Sequence, residues 1–243
     1  MNKTLQPTNQ SPQAICWHEG MLLSPQHFQQ NQIYWASQLQ QLSSNLVQHR
    51  WGVIHMSIDE GRLLEGEVFI KQLVAIMPDG LQINYDVEHD KELKLVLADS
   101  EDLANNSNGR IKVYLTVPIR VPGSASETAD IRRFSVVDGE PVKDDNTGDG
   151  DLVMQRLQPI MTLQAVNRVK AQYVELPLFE VHQPDGGHYE VSQYCPPMLG
   201  VCADDFVQVK DFAVERRPLQ QRLQAVAVAT RKKARQLAGF SED

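Results

Sequence analysis

The stretch "EVFIKQLVAIMPDGLQINY", from Glu67 to Tyr85, decides the fold class of this 243-residue chain. Its first part is rich in β-branched and aromatic residues, which favour strands. Pro78, Asp79 and Gly80 follow, and this combination favours a tight turn. The "LQINY" that comes next continues the β-type sequence. The stretch therefore predicts short strands on either side of a turn.

The same alternation of short apolar runs and turn residues continues in both directions. Strands are predicted for "WGVIHMSI" (51–58), "KLVLA" (94–98), "IKVYLTVPI" (111–119), "IRRFSVV" (131–137), "YVELPLFEV" (173–181) and "HYEVSQY" (188–194). Turns are predicted for "DEG" (59–61) and "PDGG" (184–187), and long polar loops for 99–110 and 138–151. Many short strands with regular turns predict a mainly β protein, an antiparallel β-sandwich or barrel.

A helix is predicted before the first strand. Ser24 can cap its start, and Pro25 suits the first helical position because its missing N–H needs no partner there. Four apolar residues then recur at spacings of four and three, which places them on one stripe: Trp35, Leu39, Leu42 and Leu46. The helix is expected to end near His49.

A second helix is predicted after "CPPML" (195–199), beginning at Pro218. Its apolar face is narrow and consists of Leu219, Leu223, Val226, Ala227, Thr230, Ala234 and Leu237. Such a face suits close packing of one helix on another. Because no later helix follows to cover it, we expect its partner to be absent from this chain or to come from another copy. The residues predicted to meet that partner are Leu219, Leu223, Val226, Thr230 and Leu237.

Composition narrows the classes of function. The net charge of −8 argues against a broad nucleic-acid-binding face. The basic run 231–235 is a local exception, for which a solvated bundle face is a better reading than a membrane or nucleic-acid site. The three cysteines (Cys16, Cys195 and Cys202) favour a reducing compartment over a disulfide framework. With neither a secretory signal nor an apolar run of roughly 18 residues, a cytoplasmic protein is expected.

No pattern of reactive residues nominates an enzyme. The sequence lacks a nucleophile elbow, a phosphate-binding loop and a dinucleotide glycine motif. His182 and His188 flank a predicted turn but lack further ligands at metal-binding spacing. Asp145, Thr147, Asp149 and Gly150 resemble the start of a calcium loop, yet Arg156 stands where the bidentate Glu belongs. We therefore predict no catalysis, no cofactor and no metal.

The segment "WHEGMLLSPQHFQQ", Trp17 to Gln30, resembles the N-terminal signature of the TssK family of type VI secretion baseplate proteins. That signature runs from Trp-x-Glu-Gly-Met into Pro-Gln-His-Phe-Gln. Further matches are "WGV" (51–53), the "PDG" turn, "ELPLFEV" (175–181) and "YCPPML" (194–199). The resemblance extends over nearly the whole chain.

The resemblance implies a fragment of a longer protein, with three parts. These are a flexible tail (1–14), a β-sandwich similar to the shoulder of phage receptor-binding proteins (15–195), and the start of a helical neck (196–243). The N-terminal part is expected to bind the wedge proteins TssF, TssG and TssE. The full-length protein is expected to be a homotrimer at the bacterial inner membrane. It would reach the membrane complex only through a C-terminal part that this chain lacks.

Two interpretations of the signature remain open. Its large apolar residues could pack the N-terminal segment against the sandwich, or some of them could dock a neighbouring protein, as aromatic residues and Met often do. The residues predicted to bind a partner are Trp17, Glu19, Gly20, Met21, Leu22, Leu23, Pro25, Gln26, His27 and Phe28. The alternative function is a carbohydrate- or ligand-binding module, with Tyr85, Tyr114 and Tyr173 as stacking platforms.

Overall fold

A computed structural model describes residues 13–47, 49–100, 102, 109–121, 131–184, 187–192, 194–199 and 226–233. The chain divides into two compact units between Arg50 and Trp51. This division differs from the predicted boundaries at 14/15 and 195/196, which remain predictions.

The first unit contains helix α1, Pro25–Leu46, which confirms the predicted N-terminal helix. Ser24 precedes it with extended backbone, and Pro25 occupies the first helical position. The helix ends three residues before His49, at Leu46, where Val47 returns to extended backbone and its N–H donates to the Ser43 carbonyl over 3.0 Å.

The second unit is mainly β and antiparallel, as predicted. Its elements are β1 (Gly52–Ile58), α2 (Glu60–Leu64), β2 (Glu67–Ile76), β3 (Gln82–Asp86), β4 (Leu93–Val96), a 3₁₀ turn (Leu97–Asp99), β5 (Arg110–Pro118), β6 (Phe134–Val142), β7 (Leu152–Pro159), β8 (Thr162–Ala165), β9 (Tyr173–His182) and β10 (Glu190–Val191). In the first sheet β2 pairs with β1, β3 and β4. The second sheet has the order β10-β9-β5-β8, while β6 and β7 form a two-stranded ribbon.

One hydrophobic core receives side chains from both four-stranded sheets. From the first sheet come Val53, Ile70, Leu73 and Ile83, and from the second come Val113, Leu115, Leu176 and Val181, all fully buried or nearly so. In β3 the buried residues Ile83 and Tyr85 alternate with exposed ones, because successive side chains point to opposite faces. This two-sheet core is the sandwich that the strand pattern predicted.

Several local predictions differ from the structure. "DEG" is not a simple turn: the Asp59 carboxylate accepts the Arg62 N–H over 3.2 Å and caps α2. β6 starts at Phe134 rather than residue 131 and continues through part of the predicted loop, and neither β7 nor β8 was predicted. Among the described residues of the strand predicted for 188–194, only Glu190–Val191 form a strand. A break in pairing register between Asp138 and Pro141 accommodates the proline within the ribbon, as β-bulges commonly do.

The segment after Cys195 still belongs to the first sheet. Met198 forms a parallel bridge with Val53. The Val53 N–H donates to the Pro197 carbonyl over 2.9 Å, and the Leu199 N–H donates to the Val53 carbonyl over 3.0 Å. This pairing covers the outer edge of β1, which would otherwise expose unpaired backbone groups.

A buried arginine joins the two sheets at the base of the β6–β7 ribbon. The Arg133 guanidinium donates to the Pro118 carbonyl at the end of β5 over 2.6 Å. It also lies 2.6 Å from the Asp79 carboxylate in the turn between β2 and β3. Its side chain is 7% exposed, whereas that of Asp79 is 29% exposed. The "PDG" turn therefore supplies an ion-pair partner as well as a change of direction.

Candidate functional site

The signature segment forms a turn followed by the start of α1. The Met21 N–H donates to the His18 carbonyl over 3.4 Å. Gly20 sits inside this turn with φ of 77°, a backbone conformation that side chains with a Cβ rarely adopt. The sequence therefore requires a glycine here for the turn itself.

His27 holds the beginning of the helix. Its Nδ1 accepts the backbone N–H of Ser24 over 3.1 Å, and the Ser24 hydroxyl lies 2.8 Å from the same nitrogen. His27 thus takes the role that Glu or Gln has at the third helical position of a capping box. The Trp17 ring lies 6.2 Å from the His27 ring, which brings the segment before the turn next to the first helical turn.

Most of the predicted partner-binding residues are exposed. Leu22 is 90% exposed and Leu23 is 61% exposed, while Met21 and His27 are intermediate. The other members are also exposed: Trp17, Glu19, Gly20, Pro25, Gln26 and Phe28. The structure therefore brings these residues together around one turn and one helix start, with Leu22 rather than Met21 the most accessible apolar side chain.

The predicted stripe of α1 is accessible too and is longer than expected. Phe28 precedes Trp35 by seven residues and so falls on the same helical face. The stripe is Phe28, Trp35, Leu39, Leu42 and Leu46, and its members are 58–74% exposed. No described residue of α1 is buried. A 22-residue helix is about 33 Å long, and the stripe extends over most of that length.

The second predicted face is described only in part. Residues 226–233 are helical and exposed, and the Thr230 hydroxyl donates to the Val226 carbonyl over 2.8 Å. Leu219, Leu223 and Leu237 lie outside the described residues, as does the tail up to residue 12. Of the helices that the structure describes, none has the length and apolar character needed to cross a membrane.

Of the tyrosines considered for the alternative function, Tyr85 cannot serve as a stacking platform. Tyr85 is buried in the core, where its hydroxyl accepts the Leu93 N–H over 3.0 Å. Burial raises the pKa of Tyr85, and the nearby carboxylate of Asp90 raises it further. Tyr114 and Tyr173 are partly buried. The prediction for Tyr85 is wrong because β3 places it on the inward face beside Ile83.

One possible metal-binding group was not predicted. Asp86, Glu88 and His89 lie close enough together at the end of β3 to share an ion. The Asp86 carboxylate, however, already accepts the Glu88 N–H over 3.0 Å and the Gln72 amide over 2.9 Å. Both hydrogen bonds lower the pKa of Asp86. We therefore interpret the three residues as a surface turn held by hydrogen bonds and not as a metal site.

The residues considered for metal in the sequence are separately engaged. His188 Nδ1 lies 3.2 Å from the Leu64 carbonyl, and His182 Nε2 lies 3.9 Å from Glu190. The region that resembles a calcium loop is the exposed end of the β6–β7 ribbon. There Asp144 accepts the N–H groups of Asn146 and Thr147 over 2.8 and 3.1 Å, which is a turn-forming role.

Comparison with known proteins identifies relatives of this chain. The family model T6SS_VasE, described as bacterial type VI secretion proteins EvfL, ImpJ and VasE, matches residues 27–243. The "Type VI secretion system baseplate component TssK1" of Pseudomonas aeruginosa PAO1 is 27% identical over 136 residues, which cover 54% of this chain and 29% of that protein.

Solved structures show the same fold. A crystal structure of TssK aligns with a TM-score of 0.66 at 23% identity, over 79% of this chain and 43% of that chain. A TssK-TssF-TssG baseplate subcomplex aligns with a TM-score of 0.63 at 21% identity, over 78% and 63%. A baseplate complex from the type VI secretion system aligns with a TM-score of 0.66 at 18% identity, over 95% and 70%.

Proposed function

We propose a function on the premise that this chain belongs to the T6SS_VasE (TssK) family of type VI secretion baseplate proteins. In this proposal the chain is a structural adaptor that binds the wedge proteins TssF and TssG through its N-terminal segment. The chain spans less than a third of the curated relative and less than half of the TssK crystal structure. The partners of the whole protein are therefore part of the proposal.

The observation that carries this function is the accessibility of the signature. A turn fixed by Gly20 and a helix start fixed by His27 present Leu22, Leu23 and Phe28 to solvent. Burying a leucine side chain contributes about 1.5–3 kcal/mol, so a partner that covered these residues would gain substantial affinity. The α1 stripe continues the same apolar surface along the helix.

Membership of the family supports a wider role. One structural relative is a subcomplex of TssK with TssF and TssG, which supports those two proteins as partners. We extend the proposal to TssE, to a homotrimer that uses the face around Val226 and Thr230, and to a connection with the membrane complex through a C-terminal part not included in this chain. The adaptor would act on the cytoplasmic side of the inner membrane and catalyse no reaction.

The test is a binding titration with the cognate TssF–TssG subcomplex. Leu22→Asp and Leu23→Asp place a charge on the accessible apolar surface, and we expect each to weaken binding at least about tenfold. Leu64→Asp is the matched control, since Leu64 is also exposed but lies on α2. Because Leu22 is almost fully exposed, the folded state should tolerate the change. Unchanged affinity in both variants would refute the proposed role of the segment.

A further inference from the structure

The β6–β7 ribbon is firmly attached at one end. Arg133, just before β6, bonds to Pro118 and Asp79 as described above, and the Ile160 N–H just after β7 donates to the Arg133 carbonyl over 2.9 Å. The Gln158 side-chain amide donates to the Asp90 carboxylate. Both strands of the ribbon are thus held to the sandwich at their base.

Beyond this base, the ribbon has no further strand beside it in the part of the chain that the structure describes. A two-stranded ribbon is only marginally stable by itself in water. Nevertheless, Leu152, Val153 and Leu157 are 54–61% exposed. Val153 and Leu157 share one face, because they are four residues apart on a strand. Their cross-strand neighbours are Pro141 and Val136, so that face carries an apolar row of two pairs, with Gln155 and Asp138 between them.

The ribbon is also strongly acidic. Residues 134–159 contain six carboxylates and two basic side chains, a net charge of −4, which is half of the net charge of the whole chain. At the tip the Asp144 carboxylate is engaged by backbone N–H groups, which lower its pKa. Asp145, Asp149 and Asp151 are exposed around it. An apolar row therefore ends in a cluster of negative charge.

We propose that the β6–β7 ribbon is a docking arm for a protein surface with an apolar groove and a basic rim. This inference rests on the proposed function, within which the surface belongs to the TssF–TssG subcomplex. The negative charge disfavours nucleic acid and anionic membrane. It also disfavours contact with the ribbon of a second copy, because like charges would then face each other. A basic protein partner complements both the apolar row and the acidic tip.

Two sets of substitutions separate the apolar contribution from the electrostatic one in a titration with the TssF–TssG subcomplex. Val153→Asp with Leu157→Asp disrupts the apolar row, and we expect binding at least about tenfold weaker. Asp145→Asn, Asp149→Asn and Asp151→Asn together neutralise the tip while Asp144 keeps the turn. We expect this triple variant to bind about three- to tenfold more weakly at low salt and to show a smaller salt dependence than the unmodified chain.

Control variants keep the result specific. Val96→Asp alters an exposed apolar residue on β4, and Glu65→Gln removes an exposed charge beside α2; both should bind as the unmodified chain does. Thermal unfolding of each variant verifies folding. The triple variant changes only exposed side chains, so it reports on binding even if the double variant unfolds.

The outcomes distinguish the two proposals. If the unmodified chain does not bind TssF–TssG, both fail. If it binds and Leu22→Asp weakens binding, but the ribbon variants bind like the controls, only the docking arm is refuted. If the ribbon variants change the mass of the isolated chain in solution and leave TssF–TssG affinity unchanged, the ribbon contacts a second copy and the arm as proposed here is also refuted.

Discussion

Breaking the ion pair between Arg133 and Asp79 should destabilise the β unit. Removing one member of a buried pair commonly costs about 3–5 kcal/mol, because the other charge stays buried without compensation. Here Arg133 is 7% exposed but Asp79 is 29% exposed, so water reaches the pair from one side. We therefore expect Asp79→Asn to destabilise the unit by about 2 kcal/mol, less than the range for a fully buried pair.

Arg133→Met should cost somewhat more. It removes the same ion pair and also leaves the Pro118 carbonyl without the donor that lies 2.6 Å away. A lost hydrogen bond to a buried group adds about 1 kcal/mol, for a sum of about 3 kcal/mol. The double variant should be no less stable than Arg133→Met alone, because Arg133→Met has already removed the ion pair that Asp79→Asn would break. The expected coupling energy is therefore about 2 kcal/mol.

Thermal unfolding measures all three variants. For a unit of this size, about 2 kcal/mol corresponds to a decrease in Tm of about 4–8 °C. Asp149→Asn, an exposed carboxylate at the ribbon tip, is the control and should leave Tm within about 1 °C, as exposed charges contribute little. Additive decreases in the double variant, or single decreases no larger than that of the control, would refute the assignment of Arg133 as the link between the sheets.

Two further predictions concern the sandwich. Gly52→Ala would place a Cβ 2.6 Å from the Pro197 carbonyl oxygen at a backbone φ of 143°, so we expect a loss of about 1–3 kcal/mol and faster hydrogen exchange at the Leu199 amide; an unchanged Tm would contradict this. Burial raises the pKa of Tyr85 above its ordinary value of 10.0, so the folded state holds the phenol proton more tightly than the unfolded chain does, and stability should decrease as pH rises above about 10. Tyr85→Phe should cost about 1–2 kcal/mol at neutral pH, because it leaves the Leu93 N–H without an acceptor. The same substitution should reduce the loss of stability at alkaline pH, and an unaltered dependence on pH would contradict the assignment.

Local signals in the sequence were sufficient for the main elements. The Pro-Asp-Gly turn and the strands around it depend on neighbouring residues, as does the start of α1 at Ser24 and Pro25, and the structure confirms them. The inward position of Tyr85 was also predictable, since Ile83 and Tyr85 alternate with the polar Gln82 and Asn84. A strand position of this kind buries a tyrosine whatever the chemistry of its ring.

Other features depend on contacts between distant residues. Glycine and proline residues lie within the end of β6 and just before β7, and they favour a loop. These two segments form a ribbon only because they pair with each other, with a bulge between Asp138 and Pro141. The burial of Arg133 depends on Asp79, which is 54 residues away in the sequence. No local pattern predicts such a partner. For the same reason the sequence did not nominate the ribbon as a surface, although it did identify the acidic loop at its tip.

The pairing of Pro197 and Leu199 with Val53 also has a mechanical consequence. Gly52 begins β1, and Leu199 is the last described residue before the segment 200–225, so these two points lie side by side on one edge of the sheet. Tension applied between Gly52 and Leu199 would first be carried by the two backbone hydrogen bonds that join them through Val53 and Pro197. The two-sheet core would be shielded from this load until those two bonds broke.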